Sequence, residues 1–326
     1  MNVSAVVLAG GVGSRMRPLT DNRPKPLLPL GREPLIGYQL RRLAAVGVRR
    51  VVIATGYRAA DFPAALGDGS DYGVALSYVA EDTPLGTGGA AAAAARELPE
   101  ADRLIVLNGD LLSSHDLRAQ LGAADGRALC LHVRQVPDVA AYGSVRLAVD
   151  GRVLEFAEKT GSGPGTINAG SYVIDAALLR GLPARPASLE RDVFPRLVDS
   201  GMPVLGHVAD GYFRDVGDPF AYRDASADAV TGALPDAPAG DPQRYVAASA
   251  DVAPSAQIAD GSSVHADAVV ARDAQLRGTV VLPGARVGAG VGLDRCVVAP
   301  GTRVPDGIQL ADTVVTDSLP AGTPTL

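Results

Sequence analysis

Residues 9–15 combine glycine with fixed positive charge in a way that suits phosphate binding. An apolar, strand-like segment, VSAVVL, leads directly into the run AGGVGSR. Glycines let a backbone approach an anion closely and direct its N–H groups at it, and Arg15 adds a permanent charge. A tight turn would use the same glycines, and the run matches neither the P-loop spacing nor the GxGxxG order of dinucleotide folds. The loop is therefore a candidate phosphate site.

The lysines are a second chemical signal. Of the 30 basic residues only Lys25 and Lys159 are lysine. Coding bias explains the excess of arginine, but a compact ammonium and a planar guanidinium are not interchangeable at a phosphate. Lys25 lies between Pro24 and Pro26, which restrict the local backbone. We expect both lysines to contact phosphate, although Lys159 could instead form a solvated pair with Glu158.

Two aspartates follow apolar segments that end abruptly. Asp110 ends LIVLNGD and Asp215 lies in YFRDVGDP. Open α/β sheets bind ligands at the carboxyl ends of their strands, and Mg²⁺ prefers a few carboxylates together with phosphate oxygens. The alternatives are a plain turn at the Asn-Gly-Asp sequence and a competing role for Asp218.

The elements that must position these residues alternate between β-branched runs and amphipathic stretches up to about residue 222. This pattern predicts an α/β fold with a Rossmann-like mixed sheet. We expect strands at 3–8, 50–54, 75–79, 104–108, 128–134 and 171–174, and helices at 34–46, 87–98, 114–122 and 188–200.

A different period begins after a segment rich in Ala, Pro, Gly and Asp. Aliphatic residues recur every sixth position from Val246 to Leu282, with one-residue slips at Val287 and Val298. A six-residue period is typical of a left-handed parallel β-helix, here of about four coils. The predicted domains are therefore 1–223 (catalytic), 224–244 (a linker whose first part extends a helix) and 245–326 (β-helix).

The segment LAGGVGSRMRPLTDNRPKPLLP, residues 8–29, resembles the hallmark of the sugar-1-phosphate nucleotidylyltransferases, GGxGTRLxPLTxxxPKPLLP. A later segment, PLGTGG, resembles mannose-1-phosphate guanylyltransferases, which are the closest in motif. Ser14 and Met16 replace the usual Thr and Leu, and Phe213 replaces the Trp of the later W-x-D-I/V-G motif. The resemblance implies an enzyme that joins a nucleoside monophosphate to a sugar 1-phosphate and releases pyrophosphate.

The resemblance also implies roles for individual residues. Catalysis is expected of Arg15, Lys25, Asp110 and Lys159. NTP binding is expected of Ala9, Gly10, Gly11, Gly13, Ser14, Glu81, Gly86 and Thr87. Sugar-phosphate binding is expected of Gly143, Glu158, Lys159 and Asn168. The metal, Mg²⁺, is expected at Asp110 and Asp215.

Glu81, in the family's base-reading segment EDTPLGTGG, favours GTP as the nucleotide. A carboxylate only accepts hydrogen bonds, and guanine offers two adjacent donors, N1–H and the 2-amino group. Uridylyl- and thymidylyltransferases carry similar segments and stay open. Mannose 1-phosphate is the leading acceptor, and related hexose, heptose and cyclitol phosphates stay open.

Composition limits the remaining classes. The formal net charge of −6 disfavours nucleic-acid and membrane-surface partners, and two distant cysteines fit a reducing, cytoplasmic setting. We expect a homo-oligomer assembled through the β-helix. A non-catalytic regulatory relative and a β-helix acyltransferase using His265 are the alternatives.

Overall fold

The computed structural model describes residues 1–140, 142–158, 162–183 and 185–317, and only the backbone of residues 157 and 158. Two predicted sugar-phosphate contacts, Lys159 and the side chain of Glu158, therefore lie outside the described residues.

The helices are α1 (Leu35–Ala45), α2 (Asp61–Leu66), α3 (Gly86–Arg96), α4 (Leu117–Ala123), α5 (Ala176–Arg180), α6 (Phe194–Asp199) and α7 (Pro219–Thr231). The first thirteen strands are β1 (Val3–Ala9), β2 (Pro29–Leu30), β3 (Glu33–Pro34), β4 (Arg50–Thr55), β5 (Ala75–Ala80), β6 (Arg103–Asn108), β7 (Leu111–Ser113), β8 (Leu129–Val136), β9 (Gly143–Leu147), β10 (Val153–Glu158), β11 (Gly165–Asp175), β12 (Val204–Val208) and β13 (Phe213–Asp215). Among the described helices, none is both long and apolar enough to cross a membrane.

The chain divides into two compact units, each built from two separate stretches. The first unit comprises Met1–Gly11 and Gln39–Phe213, and the second comprises Val12–Tyr38 and the chain from Arg214 onward. The sequence pattern did not indicate that Val12–Tyr38 groups with the C-terminal part. The domain boundaries at 223 and 245 stay predictions.

The first unit contains a mixed sheet wrapped by helices, as the sequence predicts, with nine strands among the described residues. Its main order is β10-β9-β11-β6-β1-β4-β5, and β8 joins β11 to β12. Strands β6, β1, β4 and β5 are parallel, whereas β11 runs antiparallel to β6. The alanines of α3 pack on this sheet, with Ala91, Ala94 and Ala95 fully buried. Small side chains let the helix lie close to the strands that carry the candidate site.

The second unit contains three stacks of short parallel strands, which form a parallel β-helix. The strands are β14 (Arg244–Val246), β15 (Asp251–Val252), β16 (Gln257–Ala259), β17 (Ser262–Val264), β18 (Val269–Val270), β19 (Gln275–Arg277), β20 (Val280–Val281), β21 (Arg286–Val287), β22 (Gly292–Asp294), β23 (Val297–Val298), β24 (Arg303–Val304), β25 (Gln309–Ala311) and β26 (Val314–Val315). Up to residue 317, one stack holds five strands and the other two hold four each, which agrees with the prediction of about four coils.

One position of the predicted repeat is wrong. Val264 stacks on Val281, not on Leu282, because the second and later coils are one residue shorter than the first. Val281 then stacks on Val298 and Val298 on Val315. The first one-residue slip of the repeat therefore precedes Val281, not Val287. From Val281 onward the aliphatic residues stack on one another in successive coils.

Helix α7 joins the other parts of the second unit. Its Tyr222 hydroxyl donates to the carbonyl of Pro29, and its Ser226 hydroxyl lies 3.0 Å from that of Ser263 in β17. Asp218 caps the helix by accepting from the N–H groups of Phe220 and Ala221. The capping explains Asp218 structurally, and the helix covers the first residues of the expected linker, as anticipated.

Candidate active site

The carboxyl ends of four adjacent parallel strands bring three predicted site residues to one edge of the sheet. Gly10 follows β1, Glu81 follows β5 and the Asn108-Gly109-Asp110 turn follows β6. Gly109 donates from its N–H to the carbonyl of Leu8 at 2.8 Å, and a Cβ there would lie only 2.6 Å from that oxygen. Only glycine permits this approach, which fixes the half-buried Asp110 beside the end of β1.

This edge is also where the strand order reverses. From β1 the chain moves to β4 and β5 on one side, then returns to β6 on the other. The sheet therefore has a topological switch point between β1 and β6, a place where crevices form at the carboxyl ends of strands. Open α/β sheets bind their ligands in such crevices.

Glu81 lies against the start of the glycine loop. A Cβ on Gly10 would lie 3.3 Å from Glu81 Oε1. The other carboxylate oxygen, Oε2, accepts from the N–H of Leu85 at 2.8 Å. One oxygen is thus held by the backbone of its own segment, while the second faces Gly10. No described atom lies within 4 Å of a Cβ placed on Gly11, so the loop has open space at that point.

The second unit carries the remaining part of the glycine loop. Gly13 has φ of 65°, and a Cβ on it would lie 3.3 Å from the Cβ of Lys25. The Thr20 hydroxyl donates to the Gly13 carbonyl at 2.9 Å. Ser14 begins a short 3₁₀ turn, and Lys25 begins another immediately after Pro24. The prolines hold Lys25 beside the loop, 9% exposed.

Arg15 and Asp215 meet within the same unit, around Gly217. A Cβ on Gly217 would lie 3.4 Å from Asp215 Oδ1 and 3.5 Å from both terminal guanidinium nitrogens of Arg15. The glycine leaves room for these two charged groups. A predicted phosphate ligand and a predicted metal ligand are therefore neighbours.

The predicted sugar contacts Gly143 and Asn168 line a cavity of about 170 Å³ in the first unit. This volume is smaller than the 300 Å³ or more that is typical of pockets for drug-sized ligands, so a monosaccharide-sized group fits it better. Other lining residues are Ser144, Phe156, Glu190, Arg191 and Pro195.

Asn168 is held rigidly in this cavity by an irregularity of β11. Its pairing with β8 shifts register between Asn168 and Tyr172, and Gly170 adopts φ of 66°. Asn168 Oδ1 accepts from the Gly170 N–H at 3.1 Å, and its Nδ2 donates to the Tyr172 hydroxyl at 2.9 Å. A Cβ on Gly170 would lie 2.9 Å from Asn108 Nδ2, so the bulge also contacts the Asn-Gly-Asp turn.

The Glu190 carboxylate accepts hydrogen bonds from three hydroxyl groups. Tyr172 donates to Oε1 at 2.9 Å, and Thr87 and Ser188 donate to Oε2 at 2.9 and 3.0 Å. Burial, followed by the charge of Glu190, raises the pKa of Tyr172 well above its ordinary value, which keeps the phenol protonated. Thr87, predicted to bind NTP, is thus bonded to a residue that lines the sugar-sized cavity.

Gly86, the residue before Thr87, starts α3 under tight steric limits. It has φ of 67°, and a Cβ on it would lie 2.6 Å from the carbonyl of Ala187. That carbonyl accepts from the Gly88 N–H at 2.8 Å. The glycines of the segment EDTPLGTGG therefore let α3 begin against residues 187–190.

The oxygen donors around Asp110 suit a hard cation. Within the described residues, Asn108 Oδ1 and Gln39 Oε1 are buried without hydrogen-bond partners, and Gln39 Nε2 donates to the carbonyls of Asn108 and Leu111. No cluster of three or more His, Cys, Asp or Glu residues occurs in that part of the chain. Mg²⁺ needs only one or two protein carboxylates when phosphates and water complete its shell. The residues present therefore fit Mg²⁺.

Two stacked histidines lie in β8 and in the loop after β7. The ring centroids of His115 and His132 are 3.7 Å apart. His115 Nε2 lies 2.8 Å from Gln120 Oε1, and because the Gln120 amide nitrogen donates to two carbonyls, the histidine is the donor. Burial lowers the pKa of His115 to about 2 and that of His132 to about 4. Both rings are neutral core groups at pH 7.

Sequence reasoning missed several residues of the candidate site, chiefly Glu190, Arg191 and Asn108, whose Oδ1 has no hydrogen-bond partner among the described residues. Arg191 entered the sequence analysis only inside the predicted helix 188–200. The observed segment begins instead with a π turn, Leu189–Val193, capped by the Ser188 hydroxyl. A carboxylate near a helix start is an ordinary surface feature, so the sequence held no signal for its inward position.

Comparisons with known proteins agree with this geometry. Residues 4–232 match the nucleotidyl transferase family. The chain is 40% identical over 301 residues to the mannose-1-phosphate guanylyltransferase of Mycobacterium tuberculosis, covering 90% of this chain and 83% of that one. It is 32% identical over 309 residues to a probable mannose-1-phosphate guanylyltransferase 1 of Oryza sativa subsp. japonica, covering 90% and 80%.

A solved structure supports the same assignment. The crystal structure of HddC from Yersinia pseudotuberculosis superposes with a TM-score of 0.62 at 29% identity, over 69% of this chain and 98% of that one. A second structure of HddC, in complex with GMP-PN, superposes with a TM-score of 0.61. The resemblance drawn from the glycine-loop motif is confirmed: the chain is a nucleotidyltransferase and belongs to the nucleotidyl transferase family.

Proposed function

We propose that this enzyme transfers GMP from GTP to mannose 1-phosphate, giving GDP-mannose and pyrophosphate. The observation that carries the proposal is the meeting of Gly10, Glu81 and Asp110 at one sheet edge, where the strand order reverses. The relatives named as mannose-1-phosphate guanylyltransferases support the choice of both substrates.

Glu81 supports guanine as the base. Its Oε2 is engaged by a backbone N–H, so we assign contact with the base to Oε1, which faces Gly10. This oxygen can accept only from a donor, and guanine presents two donors side by side. The HddC complex with GMP-PN supports a guanine nucleotide at this fold.

The chemistry is a displacement at the α-phosphorus. An oxygen of the sugar phosphate forms the new P–O bond while the bond to the β-phosphate oxygen breaks and pyrophosphate leaves. A phosphate dianion is already a nucleophile at neutral pH, so the protein mainly positions the reactants and neutralises charge. We assign neutralisation of the departing pyrophosphate to Arg15 and Lys25, and orientation of the attacking phosphate to Lys159.

Mg²⁺ completes the proposal. Bound to phosphate oxygens, the ion would neutralise part of their charge. Asp110 and Asp215 would hold it, and the buried Asn108 amide oxygen, which has no hydrogen-bond partner among the described residues, would be available to the site.

The sugar end has its own support. The cavity of about 170 Å³ presents the rigid Asn168 amide, the backbone at Gly143 and the flat side chain of Phe156. These features suit a pyranose ring, which has hydroxyls at its edge and C–H groups on its faces.

We further propose that the β-helix mediates self-association of the protein, which light scattering would measure. The cytoplasmic location stays a prediction.

The test is a matrix of five nucleoside triphosphates against a panel of sugar 1-phosphates with Mg²⁺, read by pyrophosphate release. We expect GTP with mannose 1-phosphate to give the highest kcat/KM. A higher value with UTP or dTTP would overturn the base assignment, and one with a heptose or cyclitol phosphate would overturn the sugar. No release from any pair would favour the non-catalytic alternative.

A further inference from the structure

The π turn at Leu189–Val193 lies directly at the sugar-sized cavity. Single π turns are rare and occur frequently at functional sites. Ser188 fixes this one, since its hydroxyl accepts from the Arg191 N–H at 3.2 Å and its own N–H donates to Asp192 Oδ2 at 2.7 Å. Two consecutive residues of the turn, Glu190 and Arg191, line the cavity.

Glu190 has one acceptor position left. A carboxylate offers about four lone-pair positions, and three are used by the hydroxyls of Tyr172, Thr87 and Ser188. Oε1 carries one of these bonds and Oε2 carries two. A fourth partner must therefore be a donor that approaches Oε1, and a sugar hydroxyl in the cavity is such a donor.

Arg191 adds a positive charge to the residues that line the cavity. Its side chain is exposed and has no hydrogen bond or ion pair within the described part of the chain. The other described residues named along the cavity, apart from Glu190, are uncharged. A guanidinium matches two phosphate oxygens at once, so an anion at the mouth of the cavity would satisfy it.

We propose that this turn reads the sugar 1-phosphate at two points, with Glu190 accepting one ring hydroxyl and Arg191 binding the phosphate. The inference rests on the proposed function and names residues that select its acceptor substrate. Glu190 is then a specificity residue, and its bonds to Thr87 and Tyr172 hold its carboxylate in place.

The test for Glu190 uses mannose 1-phosphate and its monodeoxy analogues with wild type and Glu190→Gln. We expect one analogue to lose roughly 10- to 100-fold in wild-type kcat/KM, the range for a hydrogen bond to a charged group. Glu190→Gln should lose a similar factor with the parent sugar, and removing that one hydroxyl should cost it little more. An equal loss with every analogue, or no loss at all, would overturn the role.

Glu190→Asp keeps the charge but withdraws the carboxylate by one methylene, and it replaces Glu190→Gln if that variant does not fold. As with Glu190→Gln, we expect Glu190→Asp to lose kcat/KM with the parent sugar and to lose little more when that one hydroxyl is removed. Glu100→Gln, a surface carboxylate that pairs with Arg50, is the matched control and should leave the whole panel unchanged.

Arg191→Ala should raise the KM for every sugar phosphate of the panel by a similar factor, roughly 10-fold or more, with the KM for GTP unchanged. Arg191→Lys should recover part of the loss, and the exposed Arg272→Ala is the control. An unchanged KM for the sugar phosphates would overturn the phosphate contact. If no substrate pair reacts with wild type, the proposed function itself fails, which is a different result from these patterns.

Discussion

Parallel strands build both compact units, but the two sets use their side chains in different ways. In the β-helix each strand stacks on one 17 or 18 residues away, and its aliphatic residues form ladders such as Leu276–Leu293–Leu310. In the sheet the proposed chemistry lies beyond the strand ends, at Gly10, Glu81 and Asp110. The comparison shows that a repeat specifies a stable scaffold, whereas a site depends on single residues far apart in sequence.

The largest expected effect comes from the strand-end carboxylate. Asp110→Asn keeps the size of the side chain but removes the charge that would hold Mg²⁺. We expect kcat/KM to fall about 10²- to 10³-fold, with the melting temperature nearly unchanged. Steady-state pyrophosphate release and thermal unfolding check both parts. A fully active Asp110→Asn enzyme would contradict the proposal that the strand ends of the sheet carry the chemistry.

From the stacked pair His115 and His132 we expect the stability of the protein to depend on pH. Their folded pKa values, about 2 and about 4, lie below the unfolded value near 6.5. Below pH 6.5 the unfolded chain therefore binds protons that the folded chain does not, and stability falls as the pH drops toward 4. Each histidine contributes a slope of roughly 1.4 kcal/mol per pH unit in that window.

Urea unfolding of wild type and His132→Gln between pH 4.5 and 7.5 measures this slope. We expect the variant to show a shallower decline, by about one proton, because it lacks one of the two groups. His265, in the second unit, is a further buried histidine, and burial lowers its pKa to about 3. It therefore contributes to the decline in both wild type and His132→Gln. A wild-type stability that is constant from pH 7.5 to 4.5 would contradict the neutral, buried state of these rings.

The scaffold itself should respond in stability rather than in turnover. Leu293 is 1% exposed and stacked between Leu276 and Leu310. Leu293→Ala should lower the free energy of unfolding by about 3 kcal/mol through lost burial and a cavity. The rate per folded molecule at 20 °C should stay near wild type, and the exposed Arg286→Ala serves as a control. Loss of turnover in a folded Leu293→Ala protein would mean that the β-helix takes part in catalysis.

The smallest expected effect concerns the base. Glu81→Gln replaces one acceptor oxygen with a donor, so it should lower the preference for GTP over UTP by roughly 10- to 100-fold in kcat/KM. The competition of the two nucleotides in one reaction measures this ratio directly. If the preference is unchanged, another residue reads the base.

The two regions also differ in how far the sequence predicts them. The six-residue repeat, the phosphate-loop motif and most strands and helices could be predicted because their signals are local. The first slip was misplaced by one residue because both Val281 and Leu282 are buried and aliphatic. The inward position of Glu190 depends on the hydroxyls of Thr87 and Tyr172, which belong to distant segments, and no local pattern records such bonds. The π turn and the bulge at Asn168–Tyr172 were not predicted because a capping serine and a glycine with positive φ also occur at ordinary helix starts and turns.

The most direct test of the central claim follows the α-phosphorus of the nucleotide. Wild-type enzyme is incubated with Mg²⁺, mannose 1-phosphate and GTP labelled at the α-phosphate, and the products are separated. The account predicts that the label appears in a GDP-sugar while the released pyrophosphate is unlabelled. Label that remains in GTP, or that is released as GMP without joining the sugar phosphate, would contradict it.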